Sequence, residues 1–70
     1  MGDKLKAWRV GQRMTIKEAA TRLGVCPRTW HRWEIGERFP PIVRWVGIER
    51  VTGRSVTADD LFRASREKAA

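Results

Sequence analysis

Residues 15–36 read TIKEAATRLGVCPRTWHRWEIG, and the folding of this stretch decides how the rest of the chain is read. Thr15 followed three residues later by Glu18 is a capping box. The threonine oxygen accepts from the Glu18 N–H, and the Glu18 carboxylate reaches back to the Thr15 N–H. The helix that opens there carries Ile16, Ala19, Ala20 and Leu23 on one face, and Gly24 closes it where a left-handed backbone is common. Val25-Cys26-Pro27 then restarts the chain. Proline at a first helical position loses nothing, because that N–H has no partner in the helix anyway. Cys26 is a weak N-cap where serine or threonine is usual. A second helix follows from Pro27 to Ile35, with Gly36 as its stop. Trp30 and Trp33 share one face of it, which leaves Arg28, Thr29, His31 and Arg32 for its N-terminal and outer face. Two capped helices about a tight turn form a helix-turn-helix. Small Ala19 and Ala20 let the helices approach, and the two tryptophans fill the angle between them.

The flanking segments complete an all-α domain. Asp3 to Gln12 reads as a helix with Asp3 as its N-cap and Leu5, Trp8 and Val10 turned inward. Glu37 to Pro40 is a loop. Pro41 is expected to open a fourth helix running to Val51, with Ile42, Trp45, Val46 and Ile48 as a broad apolar face that Gly47 interrupts; Gly53 ends it. Arg54-Ser55-Val56 reads as a short extended piece. Thr57, with Asp60 three residues later, caps a last short helix through Leu61 and Phe62, and residues 64–70 read as a frayed tail. The expectation is one domain over residues 1–70, built from five short helices, with the motif at 15–36.

Composition narrows the chemistry. At 70 residues the chain is small enough that its core must be efficient, and four tryptophans and two phenylalanines supply much of it. Fifteen Lys and Arg against eight Asp and Glu leave a formal charge of +7. An excess this large in so short a chain favours a polyanionic partner over a merely solvated surface, although charge alone would also suit an anionic membrane. The single cysteine excludes an internal disulfide and a cysteine-based zinc site, and fits a reducing, cytoplasmic setting. No signal-peptide or membrane-spanning segment is evident. One histidine, one cysteine and scattered carboxylates form no triad, metal cluster or phosphate loop, so no cofactor is expected and an enzyme is the least favoured class.

In a helix-turn-helix the second helix enters the major groove, and its first residues meet base edges. Arg28 and Arg32 are the candidates for guanine O6 and N7. Helix N-termini at Thr15 and Pro27, with Lys17 on the first turn, suit phosphates. His31 without partner ligands fits a solvent- or phosphate-facing role better than a metal site, and the helical spacing of Trp30, Trp33 and Trp45 makes them core residues before it makes them stacking platforms.

The stretch MTIKEAATRLGVCPRTWHRWEIGERFP, residues 14–40, resembles the DNA-binding domain of lambda-repressor and Cro-like helix-turn-helix proteins. Arg9 stands six residues before Thr15, and Glu18, Ala20, Leu23, Gly24, Val25, Thr29, Arg32, Trp33, Glu34, Gly36 and Pro40 match that family's pattern. The tail IERVTGRSVTADDLF is similar to the end of small phage Cro-like repressors. Cys26 in place of a serine or threonine cap, and Trp30 in place of a β-branched residue, depart from it. The resemblance implies a lambda-repressor-like five-helix fold and base contacts from Pro27, Arg28, Thr29, His31 and Arg32. It implies phosphate contacts from Thr15, Lys17, Arg38 and Arg44, and an ion pair between Arg9 and Glu34. It also implies a regulator, expected to repress by occupying a double-stranded DNA operator, and a chain this small is expected to bind as a homodimer. Three rivals stand beside this reading. An excisionase-like winged helix would need a β-hairpin after Pro40. An antitoxin-like or adaptor module would bind an acidic protein. A basic architectural protein would bind DNA without sequence preference.

Overall fold

Five α-helices form: α1 (Gly2–Gly11), α2 (Ile16–Leu23), α3 (Pro27–Glu34), α4 (Trp45–Val51) and α5 (Ala58–Ala69), with a 3-10 turn over Ile42–Arg44 leading into α4. The computed structural model describes residues 1–69, with side chains through Glu67, and no strand occurs among them. The fold is the all-α helix-turn-helix arrangement read from the sequence.

Leu5, Ala19, Ala20, Trp30, Trp33, Ile48, Val56 and Leu61 make the core, and every helix contributes to it. The indole of Trp30 lies at its centre, fully buried, with the rings of Trp8 and Trp33 at 6.3 and 6.1 Å. These tilted pairs run from α1 into α3, a geometry that aromatic quadrupoles favour over face-to-face stacking. Trp8 therefore packs against the core rather than standing free. Trp45 donates its indole N–H to the Pro40 carbonyl at 2.9 Å and meets the Phe39 ring edge-on, which fastens the loop after α3 to α4.

Several sequence expectations are corrected. Asp3 does not cap α1. The helix starts earlier, with the Met1 carbonyl accepting from the N–H groups of Lys4 and Leu5, and Asp3 lies in the first turn, where its charge still complements the dipole. Gly2 belongs inside the helix because α1 abuts the end of α3 there. A Cβ on Gly2 would sit 2.2 Å from the Glu34 carbonyl oxygen. Val10 is exposed, since Leu5 and Trp8 define the inward stripe and Val10 falls off it. Pro41 opens a 3-10 turn, closed by Arg44 N–H to Pro41 O at 2.8 Å, rather than an α-helix. The broad apolar face predicted beyond it is split: Ile48 is buried and Trp45 half-buried, but Ile42 and Val46 are 70 and 62% exposed, as is neighbouring Val43 at 82%. Gly47 permits α4 to approach α2, as a Cβ there would meet Leu23 Cδ1 at 3.1 Å.

Residues 54–56 form turn and bend rather than an extended piece, and Thr52 organises them. Its buried hydroxyl donates to the Ile48 carbonyl at 2.8 Å and accepts from the Val56 N–H at 3.1 Å. Thr57 and Asp60 form the reciprocal cap of α5, at 3.1 and 3.0 Å. That helix is longer than predicted. It runs on to Ala69, helped by an Asp59–Arg63 pair at 3.0 Å, the Arg66 guanidinium 5.7 Å from the Phe62 ring centre, and strong helix formers along its length. Ala70 lies outside the described residues.

Candidate nucleic-acid interface

Local chemistry defines α2 and α3 separately before packing joins them. The Thr15 hydroxyl accepts from the Glu18 N–H at 3.1 Å, and Glu18 Oε1 accepts from the Thr15 N–H at 2.9 Å. That backbone hydrogen bond from Thr15 is the main reason the Glu18 carboxyl is held below its ordinary range. Gly24 ends α2 at φ 84°, and α3 begins at Pro27 behind an extended Cys26. Ala19 and Ala20 are fully buried between the helices, and Trp30 and Trp33 fill the angle from the α3 side at 0 and 4% exposure. One face of α3 is thus committed to the core. At 100° per residue, Arg28, His31, Arg32 and Ile35 fall on the opposite side.

A single guanidinium locks this arrangement. Arg9 donates from Nε to Glu34 Oε2 at 2.7 Å, from Nη2 to Glu34 Oε1 at 3.1 Å, and from Nη1 to the Met14 carbonyl at 3.0 Å. The buried Trp30 Nε1–H also donates to Glu34 Oε2. Arg9 and Glu34 together therefore tie α1, the α1–α2 turn and the inner face of α3. Burial alone would push the Glu34 carboxyl up. The hydrogen bonds from Arg9 and Trp30, with the charges of Arg9 and Lys6, outweigh it and hold the carboxyl below its usual range. The hydrogen bond to Glu34, with that carboxylate's charge, raises Arg9 in turn. Among the described residues, no buried side-chain nitrogen or oxygen is left without a partner.

The remaining candidates fall into three groups. Pro27, Arg28 and His31 are exposed on the outer, N-terminal part of α3, and no ion pair among the described residues engages Arg28 or His31. Thr15 and Lys17 are exposed at the start of α2. The Thr15 oxygen is used as an acceptor by the cap, which leaves its O–H free to donate. The third group differs from the simple picture of one outer edge. Arg32 is half-buried and turned toward the loop after α3, with Nε 3.7 Å from Glu37 Oε1. There it joins Arg38 and Arg44 around a cleft of about 530 Å³ that Cys26, Thr29 and Trp33 also line. Cys26 Sγ and Thr29 Oγ1 lie 3.0 Å apart, and this contact, followed by the Thr29 N–H, pulls the exposed thiol below its ordinary pKa. The structure thus brings Thr29, Arg32, Arg38 and Arg44 together, and holds Arg28 and His31 apart from them. Ile35, 58% exposed, shares the outer side of the helix with Arg28, His31 and Arg32, as the sequence reading has it, but was given no contact role there. Its position on the outer stripe, rather than its type, is what would have flagged it.

Two short helices crossing at a left-handed turn, the inner face of the second buried and its outer face basic, are the hallmarks of a helix-turn-helix, a DNA-binding class of fold. A family model described as a helix-turn-helix domain matches residues 1–64, and the chain belongs to that family. Comparisons with curated proteins and with solved structures each returned no match. The family assignment agrees with the resemblance to lambda-repressor and Cro-like proteins. A 3-10 turn and α4 follow Pro40, where a winged helix would place its hairpin, so the excisionase-like alternative loses its defining element. Among the described residues there is no group of side chains that would hold a metal ion, and no helix long and apolar enough to cross a membrane.

Proposed function

We propose that this chain is a sequence-specific double-stranded DNA-binding regulator that inserts the outer face of α3 into the major groove. The observation that carries the reading is the division of α3, with Trp30 and Trp33 buried and Arg28 and His31 exposed and unpaired on the opposite side. Arg28, on the first turn, is the candidate for a bidentate contact to guanine O6 and N7. Pro27, Thr29 and His31 are candidates for neighbouring base edges, and Ile35 for a thymine methyl. Arg32 stands between base and backbone roles, since it shares the cleft with Arg38 and Arg44. Those two arginines, with Thr15 and Lys17, are assigned to phosphates. The formal charge of +7 supplies the long-range attraction. The chain reads as a binding protein rather than an enzyme, acting in the cytoplasm on nucleoid DNA.

One copy offers few base contacts, so binding as a two-fold pair is inferred, with half-sites roughly 34–36 Å apart. The exposed Ile42, Val43 and Val46 are assigned to the partner copy. Three side chains, even at the exposures observed, present far less than the about 800 Å² per partner of a stable interface. The pair is therefore weak in solution and assembles on DNA, and repression follows from occupying the operator. Selection of bound duplexes from a random pool tests the reading. A two-fold symmetric consensus supports it, whereas recovery of unenriched sequences points to the architectural or protein-binding alternatives.

A further inference from the structure

Four helices of this chain end in the same doubly hydrogen-bonded closure, and one of them uses the wrong residue. After α2, α3 and α4 the left-handed position is filled by glycine: Gly24 at φ 84°, Gly36 at 78° and Gly53 at 60°. After α1 it is filled by Arg13, at φ 57°. The hydrogen bonds leave no doubt that the motif is the same. Met14 N–H reaches the Arg9 carbonyl at 3.1 Å and Arg13 N–H the Val10 carbonyl at 2.9 Å, as Val25 and Gly24 reach Ala20 and Thr21 at 3.0 and 3.2 Å after α2. A Cβ in this conformation crowds the following carbonyl, which glycine avoids. The chain thus keeps a side chain where the backbone favours none. That side chain is exposed, and no ion pair among the described residues accounts for it.

Its location supplies a reason. Arg13 stands two residues before Thr15, the N-cap of α2, on the turn whose Met14 carbonyl is held by Arg9. Arg9 in turn is bound to Glu34, and Glu34 to Trp30. A cation on this turn is therefore fixed relative to α3, instead of swinging on a free loop. Among the described residues, the only other non-glycine residue with a left-handed backbone is also an arginine, Arg54 at φ 70°, on the turn between α4 and α5, outside the α2–α3 pair.

We propose that Arg13 is a further phosphate contact, gripping the duplex backbone on the α2 side of the groove that α3 enters, and that it is retained there against the conformational preference of its turn. This rests on the DNA-binding reading above. It makes an unusual demand on one substitution, Arg13→Gly, which must improve the fold and impair binding together. Arg54→Gly is the matched control, since it removes the same charge and relieves the same backbone conformation elsewhere.

The experiment measures melting temperature, and affinity for the selected operator by fluorescence anisotropy at several salt concentrations, for the full chain and the two variants. Both variants should melt higher, by about 2–6 °C. Arg13→Gly should bind about tenfold more weakly at about 100 mM salt, equally for all sequences, with the salt slope reduced by about one. Arg54→Gly should stay within about twofold of the wild type. The proposal is overturned if Arg13→Gly binds with unchanged affinity and slope, or if both variants weaken binding alike, which would make the effect one of net charge. It is also overturned if Arg13→Gly fails to melt higher. A wild-type chain that binds no duplex would overturn the DNA-binding reading itself and this proposal with it, an outcome distinct from the other three.

Discussion

Replacing Glu34 with alanine takes one acceptor away from three donor groups at once, Arg9 Nε, Arg9 Nη2 and Trp30 Nε1. The Glu34 carboxylate is 4% exposed and the Arg9 side chain 14%, so the cost is that of breaking a buried pair and leaving a charge behind, about 3 kcal/mol or more. In a domain of this size Glu34→Ala should lower the melting temperature by more than about 10 °C, measured by circular dichroism; an unchanged value would contradict the assigned role. The same carboxylate sets a pH dependence. Its folded pKa lies below its unfolded one, so its stabilisation is complete above the unfolded value, about 4.3, and is lost as pH falls through the folded value. Acid titration of the melting temperature should therefore fall more steeply below about pH 4 in the wild type than in Glu34→Gln. The pairing of Arg9 with Glu34 was legible only through the family resemblance, because nothing in the spacing of two residues 25 apart reveals that their side chains meet. The third and fourth partners, Met14 and Trp30, were not legible at all. They depend on the angle at which α1 crosses α3.

At the scale of elements, the capping boxes were the most readable features, while the starts of α1 and α4, the end of α5 and the apolar face of α4 were the least. Capping is local chemistry, and both the Thr15–Glu18 and Thr57–Asp60 boxes form as their spacing requires. Thr15→Ala should cost about 1 kcal/mol, visible as a loss of about 4–8 °C in melting temperature. Cys26 makes no side-chain cap to α3, and Cys26→Ser should raise the melting temperature by about 3–6 °C; a decrease would show that the Cys26–Thr29 contact is worth more than a true cap. Faces are a tertiary property. Ile42, Val43 and Val46 have the spacing of a buried stripe, but the 3-10 turn and the Gly47–Leu23 approach rotate α4 so that only Ile48 is fully buried. The candidate site divides in the same way. Arg28 and His31 were placed by the helical repeat of α3, while the convergence of Arg32 with Arg38 and Arg44 depends on how the loop after α3 folds back against α4.

The molecule as a whole is a small cationic body whose longest dimension is 32 Å, shorter than the roughly 34–36 Å between successive major-groove faces on one side of a duplex. Under the proposed function one copy addresses one half-site and a second copy the next. On the same proposal the exposed apolar patch on the 3-10 turn and α4 joins the copies, and it is too small to hold a pair in free solution. Sedimentation should show a monomer at micromolar concentration and two copies on an operator with both half-sites. Val43→Asp should keep the melting temperature within a few degrees, since the side chain is 82% exposed, and should abolish the cooperative second binding step while leaving single half-site affinity intact. Unaltered cooperativity in that variant would place the contact between copies elsewhere.

The central claim is that the outer edge of α3 reads base pairs, and a panel of single-base substitutions across the selected operator tests it most directly, with affinities measured for the wild type and Arg28→Ala. The expected result is a sharp preference at several positions for the wild type, with Arg28→Ala losing about 1–3 kcal/mol of discrimination at one guanine-containing pair and keeping the rest. A wild-type chain that binds every duplex alike, or an Arg28→Ala variant that retains every preference, would contradict it.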